Sequence, residues 1–215
     1  MINPAVYILA GTNGVGKSTA AFQVIPIGVP FINADIIAAK LRKEYPDRNI
    51  QEIANAEAIK LMNSFINVRE TFAFETNLAD GDTWKFLLSI QHLGYKLNLY
   101  FFGVDNIETC IHRIENRVKE GGHFVRSDVA RHRYENGIKL LNYYKTYPDN
   151  LYLVDCLNNP IIKAHIQKGK IYEIENDFLP KWIENLLQEI IAEENNSSQN
   201  ISIEEIKRRY KQGEL

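Results

Sequence analysis

Residues 11–19 read GTNGVGKST, matching G-x-x-x-x-G-K-[ST] with Gly11, Gly16, Lys17 and Ser18. The apolar run Val6-Tyr7-Ile8-Leu9-Ala10 before this segment predicts a short buried strand, and residues 17–24 after it predict a helix. Strand, glycine loop and helix in that order form an anion cradle. The glycines let backbone N–H groups curl around a phosphate, and the helix N-terminus adds partial positive charge. Gly11, Thr12, Asn13, Gly14, Val15, Gly16, Lys17, Ser18 and Thr19 are therefore the expected nucleotide-binding residues. Lys17 is expected to reach the β- and γ-phosphates of ATP or GTP, and Ser18 to ligate a magnesium ion.

Alternation of strand-like and helical segments continues along the chain. Strands are predicted at residues 31–32, 71–74, 97–104 and 151–154, and helices at residues 36–44, 83–93, 107–119 and 127–145. Ile50, Ile53, Ala54, Ala58, Leu61, Met62 and Phe65 recur at intervals of three and four, the spacing of one buried helical face. Residues 160–174 suit a hairpin around Lys168-Gly169-Lys170, and Trp182, Ile183, Leu186, Leu187, Ile190 and Ile191 mark a further amphipathic helix. The succession predicts an α/β fold, a three-layer sandwich with a mostly parallel central sheet. One catalytic domain is expected over residues 1–192, followed by a polar break and a short C-terminal helix over residues 193–215.

With 25 basic and 27 acidic residues the chain has no global basic field, so a nucleic-acid partner is not expected and a small-molecule acceptor is. Cys110 and Cys156, the only cysteines, lack the spacing of a zinc site or a disulfide framework. No stretch approaches the ~20 apolar residues of a membrane helix, and no signal peptide is recognisable. A cytoplasmic protein without a membrane partner is the expectation.

In a parallel α/β sheet, ligands bind outside the carboxyl ends of the strands. The predicted strand ends carry the loop of residues 11–18, Asn33-Ala34-Asp35, Glu75-Thr76 and Asp105. Phosphoryl transfer requires a group that orients the acceptor hydroxyl and takes its proton, and Asp35 is the candidate by position. An N-cap for the helix beginning at Ile36 is the other reading of Asp35. Glu75 suits contacts to acceptor hydroxyls, support of the magnesium shell through water, or a solvated loop acid. Asp105 suits either a second magnesium ligand or a helix cap. Between residues 113 and 133, Arg113, Arg117, Lys119, Arg126, Arg131 and Arg133 outnumber Glu115, Glu120 and Asp128. Two cationic helices broken by Gly121-Gly122-His123 predict an arginine-rich lid, with pairing to surface acids as the competing reading for each arginine. His123 suits a hinge or packing role.

The succession AGTNGVGKST, FINADIIA, FAFETNL, GYKLNLYFFGV and RVKEGGHFVRSDVARHRYENGIKLL resembles the zeta-toxin-like P-loop kinases, over residues 6–155. The resemblance implies transfer of the γ-phosphoryl group of ATP to a hydroxyl of a nucleotide sugar such as UDP-N-acetylglucosamine. It implies Lys17 and Ser18 at the nucleotide and magnesium positions, Asp35 as base, Glu75 and Thr76 as acceptor contacts, and Arg117, Arg131 and Arg133 as phosphate-facing lid residues. An inhibitory antitoxin protein is the partner it implies. Arg126 stands where relatives commonly have proline, and Asp155-Cys156-Leu157 where Asp-Asn-Ser is frequent. A nucleotide-dependent protein-interaction module, and an ATPase or kinase of another metabolite, are the competing functions.

Overall fold

The computed structural model describes residues 3–45, 50–120, 124–175 and 178–195. Strands Ala5–Ala10 (β1), Phe31–Ile32 (β2), Phe72–Thr76 (β3), Lys96–Gly103 (β4) and Asn150–Asp155 (β5) run parallel, and Ile161–Gln167 (β6) and Lys170–Ile174 (β7) extend the sheet antiparallel. Their spatial order is β2-β3-β1-β4-β5-β6-β7. From β1 the chain crosses over β3's position to the β2 edge, whereas β4 and β5 build outward on the other side. The loop after β1 therefore lies at the topological switch, where the connections diverge and leave a crevice.

Helix Lys17–Val24 (α1) and helix Ile107–Lys119 (α5) cover one face of the sheet, where Leu9, Tyr100, Phe102 and Val154 pack with Val15, Ala20, Ala21 and Cys110. Against the other face lie Ile50–Asn67 (α3), Gly81–His92 (α4), Ser127–Tyr144 (α6) and Lys181–Asn195 (α7). There Ile8, Phe72, Leu99 and Leu153 meet Ala58, Trp84, Leu87, Leu141 and Ile183. Burial on both faces explains why β1 is a continuous apolar run rather than an alternating one. Lys168 and Gly169, at φ 49° and 78°, form the tight turn of the β6–β7 hairpin, since two left-handed residues match the twist of the paired strands.

Three expectations need correction. Helix Ala34–Glu44 (α2) begins two residues earlier than predicted and is capped by Asn33, whose Oδ1 accepts from the N–H groups of Asp35 and Ile36. Asp35 thus lies within the first turn and is not the cap. The stripe of α3 is not wholly core: Ala54 and Ala58 are buried, but Ile53 and Leu61 are 41% and 37% exposed. Glu75 belongs to β3, paired with Leu9 of β1, and is no loop acid. The Gly121-Gly122-His123 break and residues 196–215, including the expected terminal helix, lie outside the described residues. No described helix is long and apolar enough to cross a membrane.

Candidate active site

The loop between β1 and α1 is held from beneath by its own backbone. A Cβ on Gly14, at φ 77°, would stand 2.5 Å from the Cys110 carbonyl oxygen of α5. Gly16, at φ 113°, has nothing within 4 Å of the corresponding position, so it turns the chain into α1 while leaving the space in front open. No side chain caps α1. Its first N–H groups and the open Gly16 edge face the need for an anion, the fit expected of a triphosphate.

Lys17 is buried, and its Nζ donates to the carbonyls of Gly11 at 2.6 Å and Thr12 at 3.1 Å. Burial pulls its pKa below the ordinary lysine value, opposed by the charges of Glu75 and then Asp35. Glu75 Oε1 lies 3.6 Å from Lys17 Nζ, while Glu75 Oε2 accepts from Ser18 Oγ at 2.7 Å and from Asn33 Nδ2 at 2.8 Å. Ser18 donates its proton to this carboxylate and keeps its oxygen lone pairs, the donor chemistry a hard cation requires. No group of three or more His, Cys, Asp or Glu side chains suited to a metal occurs among the described residues.

Two cavities meet at this point. One, of about 350 Å³, is lined by the loop from Asn13 to Thr19 together with Arg113, Arg117, Cys156, Asn158 and Pro160. The other is a cleft of about 620 Å³ between α2, α3, α4 and the end of β3. Its lining is apolar at Phe74, Phe86, Met62 and Ala58, polar at Gln51, Asn55, Asn77 and Thr83, and acidic at Asp80 and Asp82. Asn13, Asp35 and Glu75 line both. Asp35 accepts no side-chain hydrogen bond from the described residues, so its carboxylate remains available at the boundary. Thr76 also lines the cleft, and its Oγ1 accepts from the Leu78 N–H, which leaves the hydroxyl proton to offer. The same turn holds Leu78 at φ 51° while burying its side chain completely, a strained backbone beside the site.

The expected cationic lid is divided in use. Arg113 donates to the carbonyls of Val15, Cys156 and Leu157, binding the phosphate loop to the end of β5. Arg126 pairs with Asp128 across the surface. Arg131 pairs at 2.5 Å with Glu108 of α5 and lines neither cavity. Arg117 lines the loop cavity, and Arg133 lines the cleft while donating to Asn13 Oδ1 at 2.7 Å. Thr12 Oγ1 donates to the Ala130 carbonyl, a second tie between loop and α6. Asp105 turns elsewhere: its Oδ1 accepts from the Trp182 N–H at the start of α7, and Asn106 caps α5. The second-ligand reading of Asp105 is thereby overturned, because its carboxylate serves α7 and lines a separate cavity with Tyr134 and Lys181.

Sequence reasoning did not find the cleft-lining Gln51, Asn55, Asn77, Thr83 and Phe86. The polar members sit singly among helical surface residues, and Phe86 reads as core. Nor did it find the Asn33 bridge, although the cap pattern of an asparagine before a helix was visible.

No family model matches the chain. An uncharacterized protein from Haemophilus influenzae is 31% identical over 140 residues, which cover 62% of this chain and 94% of that protein. Among solved structures, the crystal structure of AvrRxo1-ORF1:-ORF2 with ATP superposes with a TM-score of 0.64 at 14% identity, over 94% of this chain and 65% of that one. The PezAT chromosomal toxin-antitoxin system of Streptococcus pneumoniae gives a TM-score of 0.58 at 13% identity, over 90% of this chain and 87% of its match. The chain thus belongs to the same family as the Haemophilus influenzae protein, and its fold is the P-loop kinase fold.

Proposed function

We propose that this chain is an ATP-dependent kinase that transfers the γ-phosphoryl group to a hydroxyl of a small molecule, with magnesium as the accompanying ion. The observation that carries the reading is the shared wall of the two cavities, where Asp35 and Glu75 face the phosphate loop on one side and the cleft on the other. A hydrolase needs only the loop cavity and a water, whereas a second cleft of about 620 Å³ opening on the same carboxylates suits a second substrate.

The roles follow from chemistry. The loop N–H groups and Lys17 hold the triphosphate, and the Lys17 ammonium stabilises the negative charge that the transition state develops on the phosphate oxygens. Ser18 would hold the magnesium ion, with Glu75 fixing the serine proton and standing near enough to act on the ion's water shell. Bound there, magnesium neutralises charge on the phosphate oxygens. Asp35 orients the acceptor hydroxyl and takes its proton as the oxygen attacks. Arg117 and Arg133 supply further positive charge beside the transferring group.

A nucleotide sugar is the first acceptor to examine. Phe74 and Phe86 beside amides, a threonine hydroxyl and the carboxylates of Asp80 and Asp82 suit the ring and hydroxyls of a sugar, and Arg133 is the cation lining the cleft among the described residues. A cytoplasmic setting and an inhibitory protein partner belong to the same proposal. The partner is supported by the toxin-antitoxin system among the structures of like fold.

Labelled ATP incubated with nucleotide sugars, free sugars and nucleosides should yield a labelled acceptor. Asp35→Asn should lower that transfer by about 10²- to 10⁴-fold, the worth of a general base, with nucleotide binding retained. Transfer undiminished in Asp35→Asn removes the base. Nucleotide-dependent capture of a protein with no labelled acceptor would favour the interaction-module reading.

A further inference from the structure

Asn33 is buried, 5% exposed, and both ends of its amide are engaged. Its Oδ1 accepts from the N–H of Asp35 at 2.8 Å and of Ile36 at 3.2 Å, and its Nδ2 donates to Glu75 Oε2 at 2.8 Å. Aspartate, serine and threonine cap helices as well as asparagine does, because capping requires only an acceptor oxygen. The amide adds a donor. That donor reaches across from the end of β2 to the carboxylate on β3, and the same Oε2 receives the proton of Ser18.

We propose that Asn33 is a positioning residue that acts through Glu75: it fixes the carboxylate that orients Ser18 and, by capping α2, sets Asp35 in the same frame. The proposal rests on the reading of the site as an ATP-dependent kinase centre. Without the amide, Oε2 keeps only the Ser18 hydroxyl, and Oε1 the more distant Lys17 ammonium at 3.6 Å. The carboxylate then has rotational freedom toward the cleft. Ser18 loses its fixed proton acceptor, and the cost falls on metal-dependent nucleotide binding rather than on the fold.

The test is a double-mutant cycle read by a fluorescent ATP analogue titrated with magnesium. Asn33→Ser keeps a capping oxygen and removes the donor. It should weaken the apparent magnesium affinity of the nucleotide complex about tenfold, as loss of an outer-shell partner does. Metal-free nucleotide affinity and melting temperature should stay close to those of the unaltered protein. In a Glu75→Ala background the same change should cost less than about twofold, since the residue it acts through is gone. Equal losses in the two backgrounds, or no loss in the unaltered background, would overturn the role. Should Asn33→Ser fail to fold, Asn33→Asp retains the cap at unchanged length and replaces the donor by a second carboxylate facing Glu75. Its altered magnesium response should likewise vanish with Glu75→Ala, and persistence there counts against the proposal. If the unaltered protein shows no magnesium-dependent nucleotide binding, the kinase reading itself fails, and this role with it.

Discussion

Ser18 Oγ donates to Glu75 Oε2 at 2.7 Å, joining the first turn of α1 to the end of β3, the strand that pairs with β1 in the sheet, although the two residues lie 57 apart in sequence. The bond commits the serine proton and leaves oxygen lone pairs for a cation. Glu75→Ala should therefore weaken magnesium-dependent ATP binding by about 10- to 100-fold, the usual effect of removing a partner that orients a metal ligand. Isothermal titration with and without magnesium checks this. An equal loss in both conditions would mean that Glu75 acts on the fold or on Lys17 instead.

Lys17 titrates below an ordinary lysine because its ammonium is buried, with Glu75 and Asp35 offsetting only part of that cost. Phosphates arriving beside it favour the charged form and raise its pKa again. Between the two values the empty site holds less than one proton on Lys17 and the occupied site holds more, so nucleotide binding takes up protons and weakens as pH rises. Calorimetry in buffers of different ionisation enthalpy, across a pH series below the ordinary lysine range, should show net uptake. Lys17→Met should abolish the uptake along with much of the affinity.

The sheet was legible because buried parallel strands are apolar runs and the loops between them carry their polar residues at one end. Phe31–Ile32 is only two residues long, yet the Asn33-Ala34-Asp35 that follows marked its end. What sequence could not assign was direction. Asp105 and Asp35 both follow strands and precede helices, but Asp105 is taken by the Trp182 N–H of α7, 77 residues away, whereas Asn33 relieves Asp35 of capping. For Arg131 the competing reading of pairing to a surface acid holds, but its partner Glu108 lies one helix earlier, outside residues 113–133. Such competition between long-range partners leaves no periodic trace in the chain.

Gly14 and Gly16 answer to different demands. Gly14→Ala forces a methyl to within 2.5 Å of the Cys110 carbonyl at φ 77°, and should destabilise the protein by about 1–3 kcal/mol, the range for overpacking. Gly16→Ala meets no atom within 4 Å. At φ 113° an alanine strains the backbone even in open space, so the cost comes from distortion of the turn into α1, and nucleotide affinity should fall with it. Thermal melts with and without ATP separate the two: ATP should still raise the melting temperature of Gly14→Ala and should do so little for Gly16→Ala.

Arg131 and Arg133 lie on one helix two residues apart, and they have different partners. The Arg131–Glu108 pair leaves both side chains about half exposed, at 44% and 50%. Hydrogen bonding to Arg131 draws the Glu108 pKa down. Water competes for both groups, so the pair contributes little to stability. Arg131→Ala should accordingly change phosphoryl transfer by less than about fivefold, with any loss appearing as a small drop in melting temperature. Arg133 instead donates to Asn13 of the phosphate loop and lines the cleft, beside the wall where a transferring group would pass. Arg133→Ala should lower kcat by about 10²-fold or more, the scale on which a donor aimed at developing charge acts. Arg133→Lys should recover little, because a point charge does not reproduce the planar fork. Steady-state kinetics on the two alanine variants decides the assignment: equal effects would mean that Arg131 leaves Glu108 and joins the site during turnover.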